Sequence, residues 1–188
     1  TAYMKAYFPT EFMTAMMTSD EEDTDRIRLE ITEAREKQIK ILPPDVNESK
    51  KHFTYIDKDT IRFWLKAIKW LWDWPIDVIL SEQDKGPFVS IFDFIERTWS
   101  DVINKRALES LILSGALDSF GERASLLVSI PKMNAFQKEL ESKRETSQLW
   151  LFDMDASRTI VHFELEKALP MGLEERIKWE KAMIGYPV

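Results

Sequence analysis

The sequence predicts a mainly α protein of short helices with a small two-strand element near residues 53–63. Three observations predict it. The chain has 188 residues, 44% of them hydrophobic and 31% charged, enough for a real core and too apolar for a disordered chain. Apolar residues recur at i, i+3 and i+4 in short windows along most of the chain. Strand-like alternation is confined to Phe53-Thr54-Tyr55-Ile56 and Ile61-Arg62-Phe63, on either side of Asp57-Lys58-Asp59.

The elements follow in order. Pro9 suits a first helical turn, and Phe12, Ala15 and Met16 share a face of a helix that stops near Ser19. The acidic run Asp20 to Asp25 supplies a cap and favourable charge for a second helix, with Ile27, Ile31 and Ala34 facing inward. Residues 41–47, with two adjacent prolines, form an ordered non-helical connector. Short helices then follow at Leu65 to Lys69, Pro75 to Asp84, Ser90 to Thr98, Asn104 to Leu113 and Glu122 to Ser129. Lys132 to Arg144 continues helically, residues 145–172 read as a linker, and Leu173 to Ile184 is an amphipathic helix. A weak internal repeat sets Leu65 to Trp72 beside Leu111 to Leu117, each an apolar helix end meeting a tight turn before another helix.

Composition excludes several chemistries. There is no cysteine, which removes disulfides, thiolate metal sites and cysteine nucleophiles and makes a cytoplasmic setting the expectation. His52 and His162 are the only histidines and lack ligand spacing. No apolar run reaches the roughly 20 residues that span a bilayer, so no membrane partner is expected. A net charge of -7 confines any nucleic-acid contact to a local patch. Asp153 and Asp155 in the polar linker read as solvated carboxylates, without the rigid geometry a metal pair needs.

The repeat is where a chemistry becomes visible. Two short helices joined by a tight hairpin can hold a phosphate through backbone N–H groups and the positive end of the following helix, with lysines nearby. Such a hairpin favours residues without a Cβ, which would obstruct the phosphate and forbid positive φ. The candidates are Lys66, Lys69, Trp70, Leu71 and Trp72 in the first unit, Lys105 and Arg106 on the intervening helix, and Ser114, Gly115 and Ala116 in the second. These would be tandem helix-hairpin-helix units. In the first, tryptophan stands where glycine would be wanted.

Several motifs resemble those of the bacterial DNA polymerase III alpha subunits, the C-family replicative polymerases. Ala2 to Phe12 is similar to a fingers-domain helix of that family, and Leu42-Pro43-Pro44-Asp45-Val46-Asn47-Glu48-Ser49 to its Leu-Pro-Pro-Asp-Val-Asn-x-Ser signature. Ile61 to Trp72 resembles I-R-F-G-L-x-A-I-K-G-x-G. Gly86-Pro87-Phe88, Phe92-Asp93-Phe94 and Asn104 through Asp118 keep the family's order. The resemblance implies the end of the fingers at 1–58, tandem hairpin units at 59–130, a helix and linker at 131–172, and at 173–188 a helix leading to a further domain that this chain does not contain. It also implies a parent enzyme that extends DNA primers with Mg2+, its catalytic carboxylates lying upstream of this stretch. No cofactor is expected in the stretch itself. Primer-template duplex and other replicative subunits are the implied partners.

Gln148-Leu149-Trp150-Leu151-Phe152 is similar to the short peptide by which bacterial proteins dock on the ring-shaped sliding clamp. Leu151 and Phe152 would enter a pocket while Gln148 bonds at its rim, Leu149 standing between them, and affinity would depend on tethering. An alternative is a non-catalytic DNA-binding scaffold that shares the hairpin units and the clamp peptide. A third reading takes the tryptophans as an aromatic interaction surface.

Glycine is scarce, 5 residues, beside 7 tryptophans. Trp64, Trp70, Trp72, Trp74, Trp99 and Trp150 stand where the family has or tolerates glycine, while Trp179 is at a position that accepts an aromatic. A gene whose UGA codons are read as glycine, written out with a table that reads UGA as tryptophan, would produce this pattern. Gln38 is another departure, at a position often glycine in the family.

Overall fold

A computed structural model describes residues 2–98, 103–149 and 164–186, and the side chains of all these except 143–149. The N-terminal helices α1 (Ala2–Tyr7) and α2 (Pro9–Ser19) lead into α3 (Thr24–Glu36). Asp23 caps α3, accepting from the N–H groups of Asp25 and Arg26. The expected inward face of α3 is observed, with Ile27, Ile31 and Ala34 all buried. That of α2 differs: Thr10, Met13 and Met17 are buried, Phe12 and Met16 only partly, and Ala15 is exposed. Helix α2 packs against both α3 and the sheet, so its contact stripe is broader and rotated from the expected one.

The small sheet has three strands, not two. Strands β2 (Thr54–Asp57) and β3 (Thr60–Arg62) form the expected antiparallel pair, with an irregularity between Tyr55 and Asp57. Strand β1 (Lys40–Leu42), expected as part of a connector, pairs in parallel with β3 and aligns Ile41 with Ile61. The order is β1-β3-β2.

After β3 the stretch expected as a helix at 65–69 is a single 3-10 turn, Leu65–Ala67. Helices α4 (Asp73–Asp84), α5 (Ile91–Thr98), α6 (Lys105–Leu113) and α7 (Arg123–Val128) follow within a residue or two of expectation. Asn104 caps α6 through the Ala107 N–H, and Glu122 caps α7 through those of Ala124 and Ser125. Helix α8 (Ile130–Leu149) is longer than expected, and α9 (Leu173–Ile184) matches. Ile31, Ile61, Phe63, Leu65, Ile76, Phe94, Leu108 and Leu111 belong to one continuous core that runs from the N-terminal helices to α8 and α9.

The Pro-Pro-Asp-Val-Asn segment holds the sheet to the helices through polar contacts. Ser49 Oγ donates to Phe63 O at 2.7 Å and accepts from Asp45 N–H at 2.9 Å. Asn47 grips Phe88 from both sides, Nδ2 donating to its carbonyl and Oδ1 accepting from its N–H. Gln83 Nε2 of α4 donates to Val46 O, and the Val46 N–H donates to Ala116 O. Residues 164–171 are not a separate linker either. The N–H groups of Glu166, Ala168 and Met171 donate in turn to Ser129, Ser125 and Glu122, which lays this segment along α7.

Candidate nucleic-acid interface

The first hairpin is a turn closed by the Leu71 N–H on Ile68 O at 3.2 Å. Trp70 occupies its third position with φ +66. A four-residue turn with positive φ at that place is one that glycine fills without strain, and an aromatic residue there is an outlier. Gln38 is the other non-glycine residue with positive φ among the described residues, at +62. Both therefore stand in glycine conformations, as the sequence pattern suggests. Trp72 and Trp64 do not: their φ values of -83 and -89 are ordinary.

The tryptophans also part company in burial. Trp64 is buried in an aromatic cluster with Phe53 and Phe63, its ring stacked on that of Phe63 at 4.9 Å. Trp70, Trp72 and Trp74 are 44%, 66% and 61% exposed. Among Trp64, Trp70, Trp72 and Trp74, a core role is thus restricted to Trp64. Trp99 and Trp150 lie outside the described residues.

Leu71 is only 5% exposed and anchors the turn in the core, while Lys66 before the turn and Lys69 within it are exposed. Lys66 reaches Asp73 at 3.5 Å across an exposed surface, a contact worth little and readily exchanged for a phosphate. Helix α4 begins just beyond, with Trp72 at its N-cap and no side-chain cap over its first N–H groups. The Arg106 guanidinium at the start of α6 lies 3.4 Å from the Trp70 ring centroid, and Lys105 is exposed beside it. The fold therefore sets Arg106 against Trp70 in the turn that carries Lys69, with Lys66 and Trp72 exposed before and after that turn, while Lys105 lies next to Arg106 and reaches Glu109 of its own helix at 3.7 Å.

Ser114, Gly115 and Ala116 are placed elsewhere. They lie at the far end of α6, about 13 Å of helix from Lys105, and all three are buried. Their N–H groups are engaged: Gly115 donates to Ile112 O and Ala116 to Leu111 O, the paired bonds of a Schellman cap. Gly115 has φ +88, and a Cβ on it would collide with Arg123 Nη2. The glycine makes room for a buried guanidinium rather than for a phosphate.

Sequence patterns did not reveal that Arg123. It is 2% exposed, donates from Nε and Nη2 to Asp118, and reaches Glu180 of α9 at 2.9 Å. Burial works against its charge, but the two carboxylates outweigh it and raise its pKa above the usual arginine value. Polar character is normally a sign of exposure, so the only hint in the sequence is the neighbouring glycine turn. Of the clamp-peptide residues, Gln148 and Leu149 end α8, where side chains are not described, and Leu151 and Phe152 lie outside the described residues. Among the described residues no group of three or more histidine, aspartate or glutamate side chains is placed to hold a metal ion.

Residues 38–126 match the family described as a helix-hairpin-helix motif. Over 98% of its length the chain is 37% identical to the DNA polymerase III subunit alpha of Thermus aquaticus, of which it covers 15%. It is 33% identical to that of Xylella fastidiosa strain Temecula1, covering 98% of the chain and 16% of the relative. With the Neisseria meningitidis subunit the identity is 37%, covering 99% and 16%. The chain thus spans about one sixth of the relatives it matches. From one end to the other the chain is similar to one stretch of the DNA polymerase III alpha subunits.

Proposed function

We propose that this chain is the part of a replicative DNA-directed DNA polymerase that holds the duplex by its backbone, at the end of the fingers and behind the site of nucleotide addition, in the cytoplasm. The observation that carries this reading is the exposed turn of the first hairpin with Lys66, Lys69 and the Arg106 that packs on Trp70, set at the uncapped start of α4 within the helix-hairpin-helix match. A duplex phosphate laid there meets α4's first N–H groups and the charges of Lys66, Lys69, Lys105 and Arg106. None of these reads a base, so binding is independent of sequence. The duplex must also displace the Trp70 ring from Arg106, or meet glycine at position 70. The second hairpin serves this surface from inside, since its own amides are used in a helix cap. Mg2+ belongs to the parent enzyme's catalytic centre, and no step is assigned to it in this stretch.

Gln148 to Phe152 tether the enzyme to the sliding clamp in the same proposal, supported by the likeness of the pentapeptide and its place after the hairpin units. One binding series tests both contacts. Lys66→Ala and Lys69→Ala should each weaken duplex binding uniformly across sequences and reduce the slope of log affinity against log salt by about one. Unchanged slopes would reject the hairpin surface. Leu151→Ala with Phe152→Ala should abolish binding of the linker peptide to purified clamp while leaving the duplex series untouched, and undiminished clamp binding rejects the pentapeptide.

A further inference from the structure

The first hairpin is held by a helix far from it in sequence. The Lys69 N–H donates to Met183 O at 2.9 Å, in the last turn of α9, so the backbone that carries the hairpin lysine takes its position from that helix end. Helix α9 is in turn fixed by Glu180, buried and 2.9 Å from the Arg123 guanidinium. Arg123 is locked by Asp118 and lies against the space that Gly115 leaves open. Glu122, next to it, caps α7, accepts the Met171 N–H and lies 3.8 Å from Arg176 of α9. Apart from the turn of α9 between Glu180 and Met183 and the packing of Arg123 against Gly115, every link in this path is a hydrogen bond or ion pair, and the second hairpin is its fixed end.

We propose that Arg123 and Glu180 are positioning residues for the DNA-contacting hairpin: their buried ion pair fixes α9, and the end of α9 fixes Lys69. The inference rests on the reading of the first hairpin as the duplex contact. A buried ion pair is weak support for stability by itself, because desolvation offsets the attraction. What this one supplies is geometry. The planar fork of Arg123 serves Asp118 on the hairpin side and Glu180 on the helix side together, which an apolar pair could not do.

The sign of one substitution separates this role from simple electrostatics. Glu180→Gln removes a negative charge, which by charge alone would tighten DNA binding. If the pair positions the hairpin, the variant instead populates the competent hairpin less and binds duplex about fivefold or more weakly, with the salt slope unchanged because the lysines remain. The measurement uses the full-length protein that contains this stretch, with duplex affinity across salt and hydrogen exchange at the peptide covering Lys69. Exchange there should quicken although Glu180 lies far away in sequence. Binding that is unchanged or tighter, with Lys69 protected as in the parent, overturns the proposal. Should Glu180→Gln loosen the whole protein, Arg123→Lys keeps the buried cation but loses the fork and is judged by the same two readouts. A parallel Lys69→Ala separates the levels: if it leaves duplex binding and salt slope intact, the hairpin reading itself fails, whereas a weakened Lys69→Ala beside an unaffected Glu180→Gln condemns only the positioning role.

Discussion

Two backbone positions ask for a residue the chain does not have. Helix α3 ends in a Schellman cap, with the Gln38 N–H on Arg35 O and the Ile39 N–H on Ala34 O, and Gln38 sits at its left-handed position. The cap at Gly115 is built the same way with the residue that fits. Holding a non-glycine residue in the left-handed region costs about 1–2 kcal/mol, of which glycine's greater freedom in the unfolded chain returns about 0.4–1. Gln38→Gly should therefore stabilise the protein by about 0.5 kcal/mol or slightly more in denaturant unfolding, and a loss of stability would show that the Gln38 side chain contributes more than its strain. At Trp70 the same relief is opposed by the loss of the Arg106 contact, worth about 0.5–1 kcal/mol when exposed. Stability is then a poor readout for Trp70→Gly, and the residue itself must be identified. Mass spectrometry of the native protein should find glycine at position 70, and tryptophan there would end the reading of these positions as recoded UGA.

At the scale of elements, what the sequence made legible were those whose signal is local. The caps at Asp23, Asn104 and Glu122 are short-range chemistry, and α3, α4, α6 and α7 follow from them and from apolar spacing. Strand β1 was hidden because three residues ahead of two prolines have no pattern of their own, and it is a strand only through its pairing with Thr60–Arg62. The segment 164–171 was hidden for a different reason. It is held by side-chain acceptors on α7 bonding backbone N–H groups, contacts that leave no hydrophobic period in either partner. The candidate site divides along the same line. Lys66, Lys69, Lys105 and Arg106 were legible as charges beside turns, and the fold leaves all four exposed and sets Arg106 against Trp70 of the first hairpin. Arg123 and Glu180 were not, since only the three-dimensional packing turns a charged pair inward.

The whole molecule joins its sheet, hairpins and terminal helices through buried polar groups, and one of these makes global stability depend on pH. Glu30 of α3 is 8% exposed, and one of its carboxylate oxygens has no hydrogen-bond partner. Burial, then a hydrogen bond and like charge from Asp20, push its pKa up to about 7; Arg26 opposes this, and Glu33 adds to it while paired with Lys5 and Lys37. The folded state therefore keeps a proton that the unfolded chain releases near the ordinary glutamate value of about 4.3. Stability from this group is full below that value and is lost as pH rises through about 7. Glu30→Gln holds the side chain neutral at every pH, with an amide that can still bond Asp20. Its stability relative to the parent should be nearly unchanged at pH 4 and greater by about 3–4 kcal/mol at pH 8. Denaturant unfolding at several pH values checks this, and a difference that does not grow between pH 5 and 8 would mean that Glu30 is ionised in the folded protein throughout that range.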